Sequence, residues 1–265
     1  MPTPRLAVVT GASSGIGADL ARLVAARGRP VLAVARRLDR LEALAAEARQ
    51  AGRAPIHPLA LDVSADDAAP RLAEAAKALG GAAWLVNDAG VGAYGRFERS
   101  DPARVRAMLR TNCEAVALLT HALLPQLREA AAAGEPAAVL TVASVAGFQP
   151  TPHMAVYGAT KAFALSFAEA LHEELRGTGV LSAAFCPGPV ATEFGAVAGT
   201  GTRFQEVPSV LTSAEAAADA LRQLERREVV RVPTWLYGLT TSAVRFLPRP
   251  LVRRISGAVQ KERST

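Results

Sequence analysis

Apolar residues along this chain fall into short unbroken runs separated by longer amphipathic stretches. The runs are RLAVVT (5–10), PVLAVAR (30–36), PIHPLALDV (55–63), AAWLVND (82–88), AAVLTVAS (137–144) and VLSAAFCP (180–187). A shorter, weaker one is EVVRVP (228–233). Helical periodicity fills the intervals 15–28, 38–51, 65–79, 102–130, 154–177 and 213–227. Strands that are apolar on both faces, each followed by a helix, predict a parallel sheet covered on both sides. The pattern therefore specifies an α/β fold, a single doubly wound Rossmann-type domain of about seven strands over residues 1–231. Two segments escape the rhythm. Residues 193–212, rich in small side chains, are expected to form a substrate lid. Residues 232–265 form a basic amphipathic extension expected to pack on or near the same domain.

Composition narrows the class. The chain has 265 residues, half of them hydrophobic and a fifth charged, as a compact folded protein requires. The net charge is +6, but residues 1–230 hold 23 basic and 23 acidic side chains. The excess lies in the tail, so the body carries no bias toward nucleic acid. Cys113 and Cys186 lie far apart with no metal-ligand spacing, and no histidine falls in a zinc pattern. The expectation is a cytoplasmic protein with two core thiols and no metal. No run is apolar for long enough to predict a spanning helix, and the N-terminus does not read as a signal peptide.

The first strand runs into TGASSGIG. Gly11 permits a sharp turn, Gly15 lets backbone approach a phosphate, and Gly17 allows close packing of helix on strand. Ser13, Ser14 and Ile16 complete this loop, and a diphosphate would rest at the N-terminus of the helix beginning at residue 15. At the end of the second strand, where an acidic residue would bind the ribose hydroxyls of NAD, the chain has Arg36 and Arg37. A guanidinium suits a 2′-phosphate, so NADP(H) is favoured over NAD(H).

Of 30 basic residues only three are lysines, and one of them, Lys161, lies four residues after Tyr157. On a helix the two share a face. An ammonium beside a phenol is expected to lower its pKa, fitting Tyr157 for general acid/base work. Lysine's compact charge also suits two ribose hydroxyls better than an arginine fork does. Ser144, at the carboxyl end of the fifth strand, is placed to donate to a substrate oxygen.

The spacing G-x-x-x-G-x-G resembles the short-chain dehydrogenase/reductase family. So do LDV at 61–63, NDAG at 87–90, Asn112, Ser144, the YxxxK of 157–161 and PGPVATEF at 187–194, all in family order from about residue 5 to 195. The resemblance implies a nicotinamide cofactor cleft lined by Asp62, Val63, Asn87, Ala89 and Gly90. It implies a water held by Asn112 and linked to Lys161. Pro187 and Gly188 are expected to form a stiff turn beside the nicotinamide, followed by Val190, with Thr192 bonding the carboxamide or diphosphate. The family often reads N-N-A-G; Asp88 replaces the second amide and puts its side-chain role in question. The expected activity is NADPH-dependent reduction of a ketone or aldehyde, reversible as alcohol oxidation, with a homodimer or homotetramer implied. The rival reading is a noncatalytic NADP(H) sensor or scaffold acting through its tail.

In the tail, Pro248 and Pro250 divide an apolar, arginine-rich stretch into two helix-like halves. Its apolar face is expected to complete a substrate pocket for a bulky or lipid-like carbonyl compound or to pack on another subunit, with contact to an anionic membrane surface or an acyl carrier the less favoured alternative.

Overall fold

The computed structural model describes residues 4–199 and 209–260. Seven parallel strands form one sheet. They are β1 (Leu6–Thr10), β2 (Val31–Ala35), β3 (Ile56–Ala60), β4 (Ala82–Asn87), β5 (Ala137–Val142), β6 (Val180–Phe185) and β9 (Val230–Arg231). Their order across the sheet is β3-β2-β1-β4-β5-β6-β9. The helices α1 (Gly15–Ala26), α2 (Leu38–Gln50) and α8 (Ser213–Arg226) cover one face. On the other lie α3 (Ala68–Ala78), α5 (Ala115–Ala132) and α6 (Ala155–Glu174).

The unbroken apolar runs follow from this double cover. Along β1, Ala7 and Val9 join the core beneath α1, α2 and α8, whereas Leu6 and Val8 join the core beneath α3 and α5. Adjacent residues thus face opposite layers and both faces are predominantly apolar, polar exceptions such as Thr10, Asn87 and Ser182 each finding a hydrogen-bond partner. Fully buried leucines such as Leu20 on α1 and Leu123 on α5 each contribute about 2 kcal/mol by leaving water. Pro58 lies inside β3, which its position at the sheet edge permits.

The strand order reverses between β1 and β4, opening a crevice at the carboxyl ends of these two strands. Both loops singled out by their glycines, 11–17 and 87–90, leave the sheet there.

The structure departs from the sequence reading in several places. The single helix expected over 102–130 is α4 (Pro102–Leu109), a π-helical turn over Arg110–Glu114, and α5. Asn112 sits in that widened turn, held by contacts with Val91 and Thr160. Two-residue strands β7 (Val190–Ala191) and β8 (Leu211–Thr212) pair with each other, and α7 (Phe194–Ala198) lies between them. The proposed lid thus contains a short helix, with residues 200–208 of it outside the described residues. Cys186 is a core thiol, but Cys113 is only partly buried, because the π turn brings it toward the surface. The tail forms α9 (Trp235–Val244) and α10 (Arg249–Gln260), separated at Pro248.

Candidate active site

The crevice is stitched together by Thr10. Its hydroxyl donates to the Val86 carbonyl and accepts from the backbone N–H groups of Asp88 and Ala89, all at 3.1 Å. Gly11 and Gly15 have φ of +72° and +59°, the left-handed region that favours glycine. A Cβ on Gly17 would stand 2.6 Å from Asp88 Oδ2 and 2.9 Å from the Gly11 carbonyl oxygen, so only glycine fits. A Cβ on Gly15 would stand 3.1 Å from Thr192 Cγ2, which closes the loop from the opposite side. Ser14, the N-cap of α1, gives no side-chain cap, and the first turn of the helix carries no acidic residue. This cradle fits the diphosphate expected from the sequence: left-handed glycines, small neighbours and a helix N-terminus without its own capping anion.

Beside the cradle, Arg37 donates to Ser13 Oγ at 3.0 and 3.2 Å and to Ser14 Oγ at 2.9 Å. Its remaining fork pairs with Glu193 at 2.8 Å, and Arg40 reaches the same carboxylate at 2.6 Å. Hydrogen bonds from Arg40 and Arg37 hold the Glu193 pKa down to about 2. Arg36 acts at longer range on Asp62. Burial would raise that carboxyl, but two hydrogen bonds from Ser64 and the Arg36 charge outweigh it and hold it below the usual range. Val63 is buried in the core beneath α3 and α5.

Tyr157 and Lys161 lie on the same face of α6 near the end of β5. Ser144 is close enough to Tyr157 for its hydroxyl to act on the phenol. Ser144 Oγ also accepts from the Ala146 N–H at 3.1 Å and contacts the Pro187 carbonyl at 3.3 Å, so it caps the following turn and meets the phenol. Lys161 is buried; its Nζ donates to the Val142 carbonyl at 2.6 Å and lies 5.8 Å from the Tyr157 ring centre. Burial pushes the Tyr157 phenol up to about 12, against the pull of the Ser144 hydroxyl, and the Asp88 charge pushes the same way as burial. The expected lowering by Lys161 is therefore absent here: desolvation dominates, and the ammonium is turned toward a carbonyl. Burial also lowers the Lys161 pKa, opposed by the charge of Asp88. Asp88 itself, desolvated under the glycine loop, is raised to about 7 despite Lys161 and the Gly17 N–H.

Asn112 closes a two-way clamp on Val91, accepting from its N–H and donating to its carbonyl, each at 2.9 Å. Its second N–H donates to Thr160 Oγ1 at 3.0 Å. The side chain thus has no donor left for the expected water. Asn87 donates to Thr120 at 3.0 Å, while its buried Oδ1 has no partner among the described residues.

This arrangement of glycine cradle, basic flank and Ser-Tyr-Lys set coincides with a family signature: a model described as short chain dehydrogenase matches residues 5–201. The chain belongs to the short-chain dehydrogenase family. Its members are oxidoreductases, and solved relatives hold nicotinamide cofactors of both kinds. The chain is 36% identical to an uncharacterized oxidoreductase of Myxococcus xanthus, over 93% of this chain and 94% of that one. Among solved structures it resembles a short-chain dehydrogenase from Sphingobium yanoikuyae in complex with NADPH (TM-score 0.81, 28% identity, 98% of each chain). It also resembles a bulky-bulky ketone specific alcohol dehydrogenase from Comamonas testosteroni (TM-score 0.75, 27% identity, 99% of this chain and 96% of that one). A Burkholderia phymatum family member in complex with NAD is similar too (TM-score 0.82, 25% identity, 90% and 92%).

Within this short-chain dehydrogenase the cleft has two aromatic walls that sequence reasoning missed. Phe194 packs its ring 5.3 Å from that of Tyr157, and a Cβ on Gly92 would stand 2.5 Å from Phe194 Cζ. Tyr237, from the tail, lies on Gly188, where a Cβ would stand 2.5 Å from its ring. Pro187 offers its carbonyl to the Val145 N–H, which fixes the turn beside Ser144. Val190 pairs with Leu211, and Thr192 Oγ1 accepts from the Phe194 N–H at 3.3 Å. Gly90 packs beside Asn112 and Lys161, Ile16 packs against the core, and Ala89 is anchored by Thr10. Thr10, Glu193 and Phe194 lie inside the quoted glycine-loop and PGPVATEF motifs and Tyr237 in the amphipathic tail, but only the fold shows what each side chain touches. Among the described residues no group of three His, Cys, Asp or Glu side chains is placed to hold a metal.

Proposed function

We propose that this chain is an NADPH-dependent reductase of ketones or aldehydes, reversible as an alcohol dehydrogenase, with Tyr157 as the general acid/base. The observation that carries the reading is the convergence of Tyr157, Ser144 and Lys161 at the carboxyl end of β5, with the Lys161 ammonium 5.8 Å from the Tyr157 ring centre. A phenol pushed up to about 12 keeps its proton at neutral pH, which suits an acid in carbonyl reduction better than a base in alcohol oxidation. When bound, NADPH supplies the hydride. Ser144 then donates a hydrogen bond to the carbonyl oxygen, and Tyr157 delivers the proton as negative charge develops there. Lys161 supplies a buried positive charge that Asp88 helps to maintain. Its Nζ, now on the Val142 carbonyl, is the donor available to a ribose.

The NADPH preference rests on Arg37, whose fork already grips two serine hydroxyls at the edge of the cradle, and on Arg36 beside it. Phe194 and Tyr237 give the substrate side an apolar lining, which suits a bulky carbonyl compound. A solution homodimer or homotetramer and a cytoplasmic site of action belong to this same reading. The competing reading, a noncatalytic sensor, gives no reason for Tyr157, Ser144 and Lys161 to converge at the crevice. Incubation with NADPH carrying deuterium at the transferable position, against a panel of ketones and aldehydes, is expected to place deuterium on the carbinol carbon of at least one product. Cofactor binding with no labelled alcohol from any carbonyl would favour the sensor.

A further inference from the structure

Helix α9 turns Tyr237 onto Gly188 and buries Thr241, which fixes its inner face. Its opposite face carries Trp235 and Leu239, which are 80% and 63% exposed, and just beyond its end Phe246 is 87% exposed. Helix α10 also has a buried and an exposed apolar side. Val252 and Ser256 are buried, whereas Leu251 and Ile255, one turn apart, are open to solvent. Single exposed apolar residues are ordinary on protein surfaces, but a tryptophan, a phenylalanine and several aliphatic residues exposed together on two successive helices are not.

The charge around these residues is of one sign. Arg245, Arg249, Arg253 and Arg254 are exposed, and no acidic residue occurs from 232 to 260. None of these four makes an ion pair among the described residues, whereas Arg37 and Arg40 on the body pair with Glu193. An apolar surface bordered by unpaired arginines matches a bilayer whose acyl region is bordered by anionic headgroups. It does not match a second copy of itself: a two-fold contact would bring two sets of arginines together with no acid on that face to offset them. Neither helix is long and apolar enough to cross a membrane.

We propose that α9 and α10 form a docking surface for an anionic lipid bilayer, on which this chain rests by inserting Trp235, Leu239 and Phe246 at headgroup level. This goes beyond the reductase reading and does not depend on it. The outer face meets lipid while Tyr237, on the inner face of the same helix, remains at the cleft.

The test is co-sedimentation of the full chain with vesicles of phosphatidylcholine alone and of phosphatidylcholine with a minor share of phosphatidylserine. At least about 10-fold more protein is expected on the anionic vesicles, with the difference shrinking at high salt. Trp235→Ser with Phe246→Ser, and separately Arg245→Gln, Arg249→Gln, Arg253→Gln and Arg254→Gln together, should each reduce binding about 10-fold or more. Neither set should alter NADPH affinity. Equal sedimentation with both vesicle types overturns the proposal, as does anionic binding that neither set weakens. Light scattering that shows an oligomer split by the Trp235/Phe246 pair overturns it in favour of an interface between copies.

Discussion

The carboxylate of Asp88 packs against Gly17 so closely that a Cβ there would stand 2.6 Å from its Oδ2, which sets the end of β4 against the first turn of α1 beneath the glycine cradle. The charge faces Lys161, and the sum of burial and these contacts leaves the carboxyl raised to about 7 from an ordinary 3.8. The folded protein therefore keeps a proton that the unfolded chain releases near pH 4. Stability from this group is fully present below that pH and is lost as pH rises toward 7. Asp88→Asn should match the wild type near pH 4 and exceed it at pH 8 by up to about 4 kcal/mol, since the rise from 3.8 to about 7 is about three tenfold steps in proton affinity at about 1.4 kcal/mol each. Thermal denaturation at the two pH values checks this. An equal change at both would contradict it.

Arg37 is shared between the serines of the cradle and Glu193. A bound 2′-phosphate must compete with that carboxylate for the guanidinium. Arg37→Ala should weaken NADPH binding about 10–100-fold while leaving NADH nearly unchanged. Glu193→Gln should strengthen NADPH binding, because it removes both a competitor and a like charge. Fluorescence titration with each reduced cofactor reads the ratio, and equal losses for Arg37→Ala would refute the assignment.

Gly92 and Phe194 form a contact with no spare volume. Gly92→Ala would place a methyl 2.5 Å from Phe194 Cζ and drive the ring away from its position against Tyr157. KM for bulky carbonyls should change about 10-fold, whereas NADPH affinity stays within about 2-fold. Steady-state kinetics paired with cofactor titration separates these, and a parallel loss of cofactor binding would mean that the loop as a whole had collapsed.

The raised Tyr157 phenol sets a pH dependence of its own. Burial favours the neutral form, so reduction at saturating NADPH should be flat through neutral pH and fall only at strongly alkaline pH. Oxidation of the product alcohol with NADP⁺ should climb with pH, because it needs the phenolate. A reduction rate that halves near pH 7 would contradict this assignment. Initial rates in both directions over a buffered series give the answer.

Much of this architecture is written in local pattern. Every residue of β1, β2 and β5 is buried, so each is apolar throughout except for Thr10 and Thr141. The glycines at 11, 15 and 17 are demanded by backbone angle or by close approach, constraints strong enough to fix the residue type. What stayed hidden depends on contacts between distant segments. The π turn at 110–114 is held by Asn112 reaching Val91, which no helical periodicity records. Glu193 reads as an ordinary lid residue until the fold sets it against Arg37 and Arg40. The upward direction of the Tyr157 pKa is hidden for a similar reason. The spacing puts Lys161 on the right face but does not reveal that its ammonium bonds the Val142 carbonyl.

The central claim is that Tyr157 delivers the proton in NADPH-dependent carbonyl reduction. It is tested most directly by NADPH consumption over a ketone and aldehyde panel, with wild type and Tyr157→Phe compared at equal cofactor occupancy. Both proteins should bind NADPH alike, and the wild type should consume it with at least one carbonyl about 10²-fold or more faster than the variant. Equal rates, or binding by both and turnover by neither, would contradict the account.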